Sequence, residues 1–137
     1  MKKSYSKSKL FLVLIFSIFV MSCQTDHDCL YVNNVNNNTS YDIVVHLLDN
    51  STIVCLPGQE TKIDEFYGTA VLNLARPPHR FKEIIAKVVI NEGNKILTKD
   101  IFDGNNWNMK GDKVGKFYGN ITSTFIINEE DLKELEQ

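Results

Sequence analysis

The chain has 137 residues, 15 Lys and Arg against 17 Asp and Glu, and an apolar fraction of 43%. That length supports one domain and no more, and the formal net charge is −2. Apolar residues recur in strand-length blocks as far as Ile127, which excludes a disordered chain.

Lys2, Lys3, Lys7 and Lys9 give a basic start, and no acidic residue precedes Asp26. Leu10 to Met21 is an apolar stretch broken only by Ser17. Twelve helical residues span about 18 Å, short of a hydrocarbon core of roughly 30 Å, so a transmembrane helix is not expected. A positive region, a short apolar region and a small residue before the break describe a secretory signal peptide over residues 1–22.

Val20-Met21-Ser22-Cys23 resembles the lipobox of bacterial lipoproteins. That resemblance implies that the Cys23 thiol receives diacylglycerol, that signal peptidase II cuts before it, and that the new amine is acylated. Two or three acyl chains anchor stably where one does not. Gln24-Thr25-Asp26-His27-Asp28 is similar to the acidic export signal of surface lipoproteins in the Bacteroides phylum. The implied partner is a membrane, reached through the N-terminal lipid, and Gln24, Asp26 and Asp28 become the address for the cell exterior. A solvated tether over residues 23–28, with the domain facing the periplasm, is the alternative.

Removing residues 1–22 takes away four lysines and leaves 115 residues in which 11 basic side chains face 17 acidic ones, a net charge of about −6 that argues against nucleic acid or a polyanionic surface as the main partner. Cys29 and Cys55 are then an even pair outside the cytoplasm, candidates for a disulfide across a 26-residue separation. Closing such a loop is worth roughly 3–4 kcal/mol in chain entropy. Either thiol could instead be a small buried apolar group.

The domain over 29–137 reads as short strands. Leu30-Tyr31-Val32 opens the first, and Asn33 to Asn38 reads as a turn by composition. Tyr41, Ile43, Val45 and Leu47 alternate with polar residues, the period of a half-buried strand. Thr52 to Leu56 is a strand stopped by Pro57-Gly58, and Thr61–Phe66 and Ala70–Leu74 follow around a Tyr67-Gly68 turn. Arg76-Pro77-Pro78-His79-Arg80 breaks regular structure. Ile84, Ala86, Val88 and Ile90 share a face, and Glu92-Gly93-Asn94 turns the chain into a strand over Lys95–Phe102.

Asp103 to Asn108 is a polar loop, and Phe117 to Ile127 is the last long strand. Asn128 suits the cap of a short C-terminal helix with Glu129, Glu130 and Asp131 in its first turn. Seven or eight strands with frequent turns predict an all-β, antiparallel, immunoglobulin-like sandwich. With the Asn-Asn-Thr turn, Pro57-Gly58-Gln59-Glu60 and Phe125-Ile126-Ile127, the chain resembles small lipoproteins of the same phylum throughout its length. That implies location and fold, not an activity.

Catalytic signatures are lacking. The three histidines lie in the tether (His27), on a strand (His46) and beside prolines (His79), and no nucleophile elbow, zinc-protease, Cys-x-x-Cys or phosphate-loop motif is present. Neither an enzyme nor a cofactor is expected. Asp103-Gly104-Asn105 begins like a calcium loop, but Trp107 and Val114 stand where an EF-hand needs an oxygen ligand and a glutamate, so no metal is expected. Arg76, Arg80 and Lys82 around His79 read as a solvated loop.

Trp107 is the single tryptophan, flanked by the amides of Asn105, Asn106 and Asn108. A ring face beside amides can stack on a sugar and bond its hydroxyls, whereas a ring folded inward would plug the end of the sandwich. The leading expectation is therefore a non-catalytic surface lipoprotein acting as a structural or interaction module with a protein partner. Glycan binding through Trp107 is the alternative.

Overall fold

The computed structural model describes residues 28–70, 74 and 80–136. The expected signal peptide and tether residues up to 27, Arg76 and His79, and positions 71–73 of the expected strand lie outside the described residues. The described chain is all-β, with nine strands in two sheets around a common core.

The first sheet contains β1 (Asp28–Asn38), β4 (Gln59–Thr69), β7 (Trp107–Val114) and β8 (Phe117–Asn128), in the order β4-β1-β8-β7. The second contains β2 (Ile43–Leu47), β3 (Thr52–Cys55), β5 (Ile85–Ile90), β6 (Lys95–Leu97) and β9 (Leu132–Glu134), in the order β3-β2-β5-β6-β9. A single helical turn, α1 (Phe81–Ile84), leads into β5.

β1 corrects the composition reading. The asparagine run is no turn; it is the second half of a central strand, paired antiparallel with β4 and parallel with β8. Cys29, Tyr31, Asn33, Val35 and Asn37 are buried in strict alternation, so period 2 persists through the polar residues. Strands on both sides supply the ladder bonds, which removes the advantage that asparagine otherwise finds in a turn.

The parallel pairing, from Leu30 opposite Asn120 to Asn38 opposite Asn128, departs from the expected wholly antiparallel arrangement. The strand order also differs from the immunoglobulin constant type, where the first strand pairs with the second. What stands is a two-sheet all-β sandwich.

Three further corrections have local causes. β4 runs unbroken through Tyr67 and Gly68, because both stay in register with β1. A shift between His46 and Leu47 sets Ile85 opposite Leu47, so Ile85 is buried and Ala86 is exposed, against the expected face. The terminal helix shrinks to one 3-10 turn, Glu129–Asp131, where the Asn128 N–H donates to Asp131 Oδ2 at 2.9 Å. Leu132 to Glu134 then pair with β6 as a strand.

The larger core cluster joins Val35, Phe125 and Ile127 of the first sheet to Ile43, Val45, Ile85 and Ile90 of the second. Burying each of these side chains is worth about 1.5–3 kcal/mol. A smaller cluster, Cys29, Tyr31, Ala70 and Ile121, covers the Asp28 end of the first sheet. Between them lies a polar rung in which buried Asn33 stands opposite buried Ser123, and Asn33 Nδ2 donates to Asp64 Oδ2 at 3.3 Å.

At the far end of β1, Asn37 is 0% exposed. Its Nδ2 donates to Cys55 O and to Tyr41 O, each at 2.8 Å, and its Oδ1 accepts from the Thr39 N–H at 3.0 Å and the Thr39 hydroxyl at 2.8 Å. One amide thus binds β1 to β3 across the sandwich and closes the β1–β2 crossover. Asn37→Ala is expected to cost about 2 kcal/mol or more in urea unfolding, because the Cys55 carbonyl loses the amide donor at roughly 1–3 kcal/mol and the Tyr41 carbonyl keeps only the Thr39 hydroxyl, at 3.3 Å. Outward-facing Asn36→Ala should cost less than about 1 kcal/mol.

Candidate functional site

Cys23, Gln24 and Asp26 lie outside the described residues. Asp28 is exposed at the first position of β1, opposite Thr69. With Val114, Phe117, Tyr118 and Gly119 it lines a shallow pocket of about 160 Å³ at this end of the sandwich.

Trp107 corrects both its expected loop and its glycan role. It is the first residue of β7, 3% exposed, and its Nε1–H donates to Ile101 O at 2.8 Å. Phe81 of α1 stacks on the ring with centroids 3.8 Å apart and planes 3° from parallel, and Phe125 packs at 5.3 Å with a 51° tilt. A sugar needs a free ring face, and here the ring is folded inward against core aromatics, the other arrangement that the sequence left open.

The flanking amides are also engaged or averted. The Asn105 N–H and Nδ2 both donate to Asp103 Oδ1 at 2.9 Å, and Asn106 Nδ2 donates to Asp100 O at 2.8 Å. Asn108 is exposed, pointing away from the buried ring by strand alternation. These residues build a 3-10 turn, Gly104–Asn106, that delivers Trp107 into the core. The signal was available in Trp107-Asn108-Met109-Lys110, an alternating run whose Trp and Met share a face.

The disulfide is corrected too. Cys29 and Cys55 are free and buried, and they belong to different core clusters. Asn37, which bonds the Cys55 carbonyl, stands eight residues beyond Cys29 in β1, about 26 Å at roughly 3.3 Å per residue. A bridge needs Cα atoms within about 7 Å.

Burial pushes both thiols up, partly offset by a hydrogen bond with Tyr31 for Cys29 and with Thr61 for Cys55. Raised thiols hold little thiolate and are poor nucleophiles. Burial, and then the neighbouring Cys29, push the Tyr31 phenol up to about 12. Its hydroxyl donates to Thr69 O at 2.7 Å, and its ring stacks on Phe66 at 4.9 Å.

Elsewhere the polar groups serve packing. His46 faces Thr52 and Lys87 in register, with neither a carboxylate nor a thiol directly opposite. Arg80 lies 4.6 Å over the Phe66 ring and pairs with Glu83 at 3.3 Å. Backbone and hydroxyl bonds from Ser40 hold the Glu129 carboxyl below its ordinary range. Among the described residues no three His, Cys, Asp or Glu side chains are grouped so as to hold a metal ion.

Two surface features were missed by sequence reasoning. Across the outer face of the second sheet, Val54 pairs with Val44 and Val44 with Val89, and Ile96 follows on β6. Val54 and Ile96 are both exposed. At the Asp28 end, the β7–β8 hairpin turns through Gly115-Lys116, with Gly115 at φ 68°, and exposes Val114 at 72%. Compared with protein-family models, curated proteins and solved structures, the chain matches none of them.

Four measurements check this assignment. Trp107 fluorescence should be weakly quenched by acrylamide, and Trp107→Ala should cost about 3–5 kcal/mol of stability. Cys29 and Cys55 should take up an alkylating reagent only above the denaturation midpoint, and a non-reduced digest should contain no peptide linking them.

Proposed function

We propose that this protein is a lipid-anchored lipoprotein of the outer membrane, displayed on the cell exterior, whose β domain acts without catalysis as a structural or interaction module. The observation that carries the reading is Val20-Met21-Ser22-Cys23, set behind a basic start and a short apolar run. Four residues separate Cys23 from the first strand, so the anchor and the domain nearly adjoin. Acyl chains on Cys23 would hold such a domain at the surface without a spanning segment.

Display on the exterior is supported by Gln24 and the acidic Asp26 and Asp28, which follow the cysteine where an export signal would be read. Exposed carboxylates contribute almost nothing to anchoring beside the acyl chains, so their use would be as an address. An interaction role is supported by the apolar row on the outer face of the second sheet, since soluble domains rarely expose contiguous apolar surface without use.

Cys23→Ala should abolish incorporation of an alkynyl fatty acid in the native host, and persistent labelling would end the lipoprotein reading. Replacing Asp26 and Asp28 with Ala should leave acylation intact but protect the protein from protease added to whole cells. Equal digestion of variant and parent would reduce the stretch to a tether.

A further inference from the structure

The start of the described chain and the tip of the β7–β8 hairpin share one end of the sandwich. In the parallel register Leu30 lies opposite Asn120, which sets Asp28 level with Tyr118, and the hairpin continues beyond it through Phe117 and Lys116. Five peptide units separate Cys23 from Asp28, a reach of at most about 18 Å at roughly 3.6 Å per residue. An acyl group on Cys23 would therefore hold this tip within reach of the bilayer.

The tip has the composition of an interfacial contact. Val114 and, on β4, Tyr67 are 72% and 75% exposed at the same end. The Tyr118 ring lies over Gly111, where a Cβ would come within 2.5 Å of it, and Lys113 Nζ sits 5.3 Å from the ring centroid. Gly111 thus leaves room for the aromatic, which packs half-buried on the smaller core cluster at this end. Tyrosine and lysine are the side chains that settle at headgroup level, with an apolar body and a polar end.

The hairpin itself is basic, although exposed Asp28 lies beside it. Lys110, Lys113 and Lys116 are exposed in the hairpin against a single acid, Asp112, in a domain where acids outnumber bases. At the opposite end Glu60 and Glu129 stand beside Asn34 and Ser40, and Lys95, paired with Glu134, lies close enough to act on Glu129. The basic end is the one that the anchor would bring to anionic headgroups.

We infer that the tip of the β7–β8 hairpin, Lys113 to Tyr118, is a lipid-contact surface that inserts Val114 into the headgroup boundary of an anionic bilayer and stands the sandwich upright on its anchor. This inference rests on the acylation of Cys23. It concerns the domain's orientation, because the acyl chains supply the attachment.

The test uses the full chain, purified from its host in acylated form and reconstituted into phosphatidylethanolamine–phosphatidylglycerol vesicles. Because Cys29 and Cys55 are buried, a nitroxide can be placed selectively on Val114→Cys or, at the far end, on Gln59→Cys. The label at 114 should be protected from a water-soluble paramagnetic reagent and accessible to oxygen, whereas the label at 59 should remain aqueous. Charge reversal at Lys113 and Lys116 should return the label at 114 to water while the protein still floats with the vesicles. Acylated, vesicle-bound protein with equally aqueous labels at 114 and 59 would overturn the hairpin inference alone. A chain whose Cys23 carries no acyl group by mass would overturn both this inference and the lipoprotein reading.

Discussion

The carboxamide of Asn37 sits where the two sheets and the first crossover meet, and its position leaves no access to water. An amide in such a place must find partners for both ends, or each unmade bond costs about as much as a well-packed methyl group contributes. Here the Nδ2 end takes the carbonyls of Cys55 and Tyr41, and the Oδ1 end takes Thr39 twice. The backbone joins in, because the Gly58 N–H donates to Asn37 O at 2.7 Å. β1 is thereby fixed against β3, β2 enters the opposite sheet at a defined height, and the Pro57-Gly58 turn returns the chain to β4. An apolar residue could fill the volume but could not satisfy those carbonyls.

From this point the other levels follow. β1 is held at one end by a polar pin, and its remaining inward positions alternate into the core. About 30 Å of strand, at roughly 3.3 Å per residue, then separates Asn37 from Asp28. The sandwich gains a long axis with dissimilar ends: the buried amide at one, the lysine-bearing β7–β8 hairpin and the start of β1 at the other. The acyl anchor proposed at Cys23 would act on the second end, so the polarity of the fold would become the polarity of the molecule on a surface.

Much of the fold was legible where periodicity and burial agree. Ile43 and Val45 in β2, and Ile121, Phe125 and Ile127 in β8, face inward as their alternation requires. Legibility failed where a residue's commonest habit was overruled by its neighbours. Asn33 to Asn38 look like a turn until two flanking strands satisfy the backbone. Ala86 looks inward until a bulge advances Ile85. Leu132 looks helical until β6 offers an unpaired edge, a long-range fact that no local pattern carries.

The candidate site was less legible than the fold, for a related reason. Trp107 among asparagines reads as a polar aromatic patch, yet three of the surrounding polar groups, Asp103, Asn105 and Asn106, use their bonds to shape a turn. The ring belongs to the core because Phe81, 26 residues earlier, stacks on it. Sequence spacing cannot announce such a contact. The hairpin was overlooked because Lys113, Val114 and Lys116 acquire meaning only beside Asp28, which the parallel β1–β8 pairing supplies.

The central claim is that the asparagine-rich segment is a fixed interior strand on which both sheets are set. Residue-resolved hydrogen–deuterium exchange tests it most directly. Amides from Asn33 to Asn38 should exchange as slowly as those from Ile121 to Ile127, their parallel partners. Exchange as fast as that of the exposed Gly115-Lys116 turn would contradict the claim and make the segment the loop that its composition suggests.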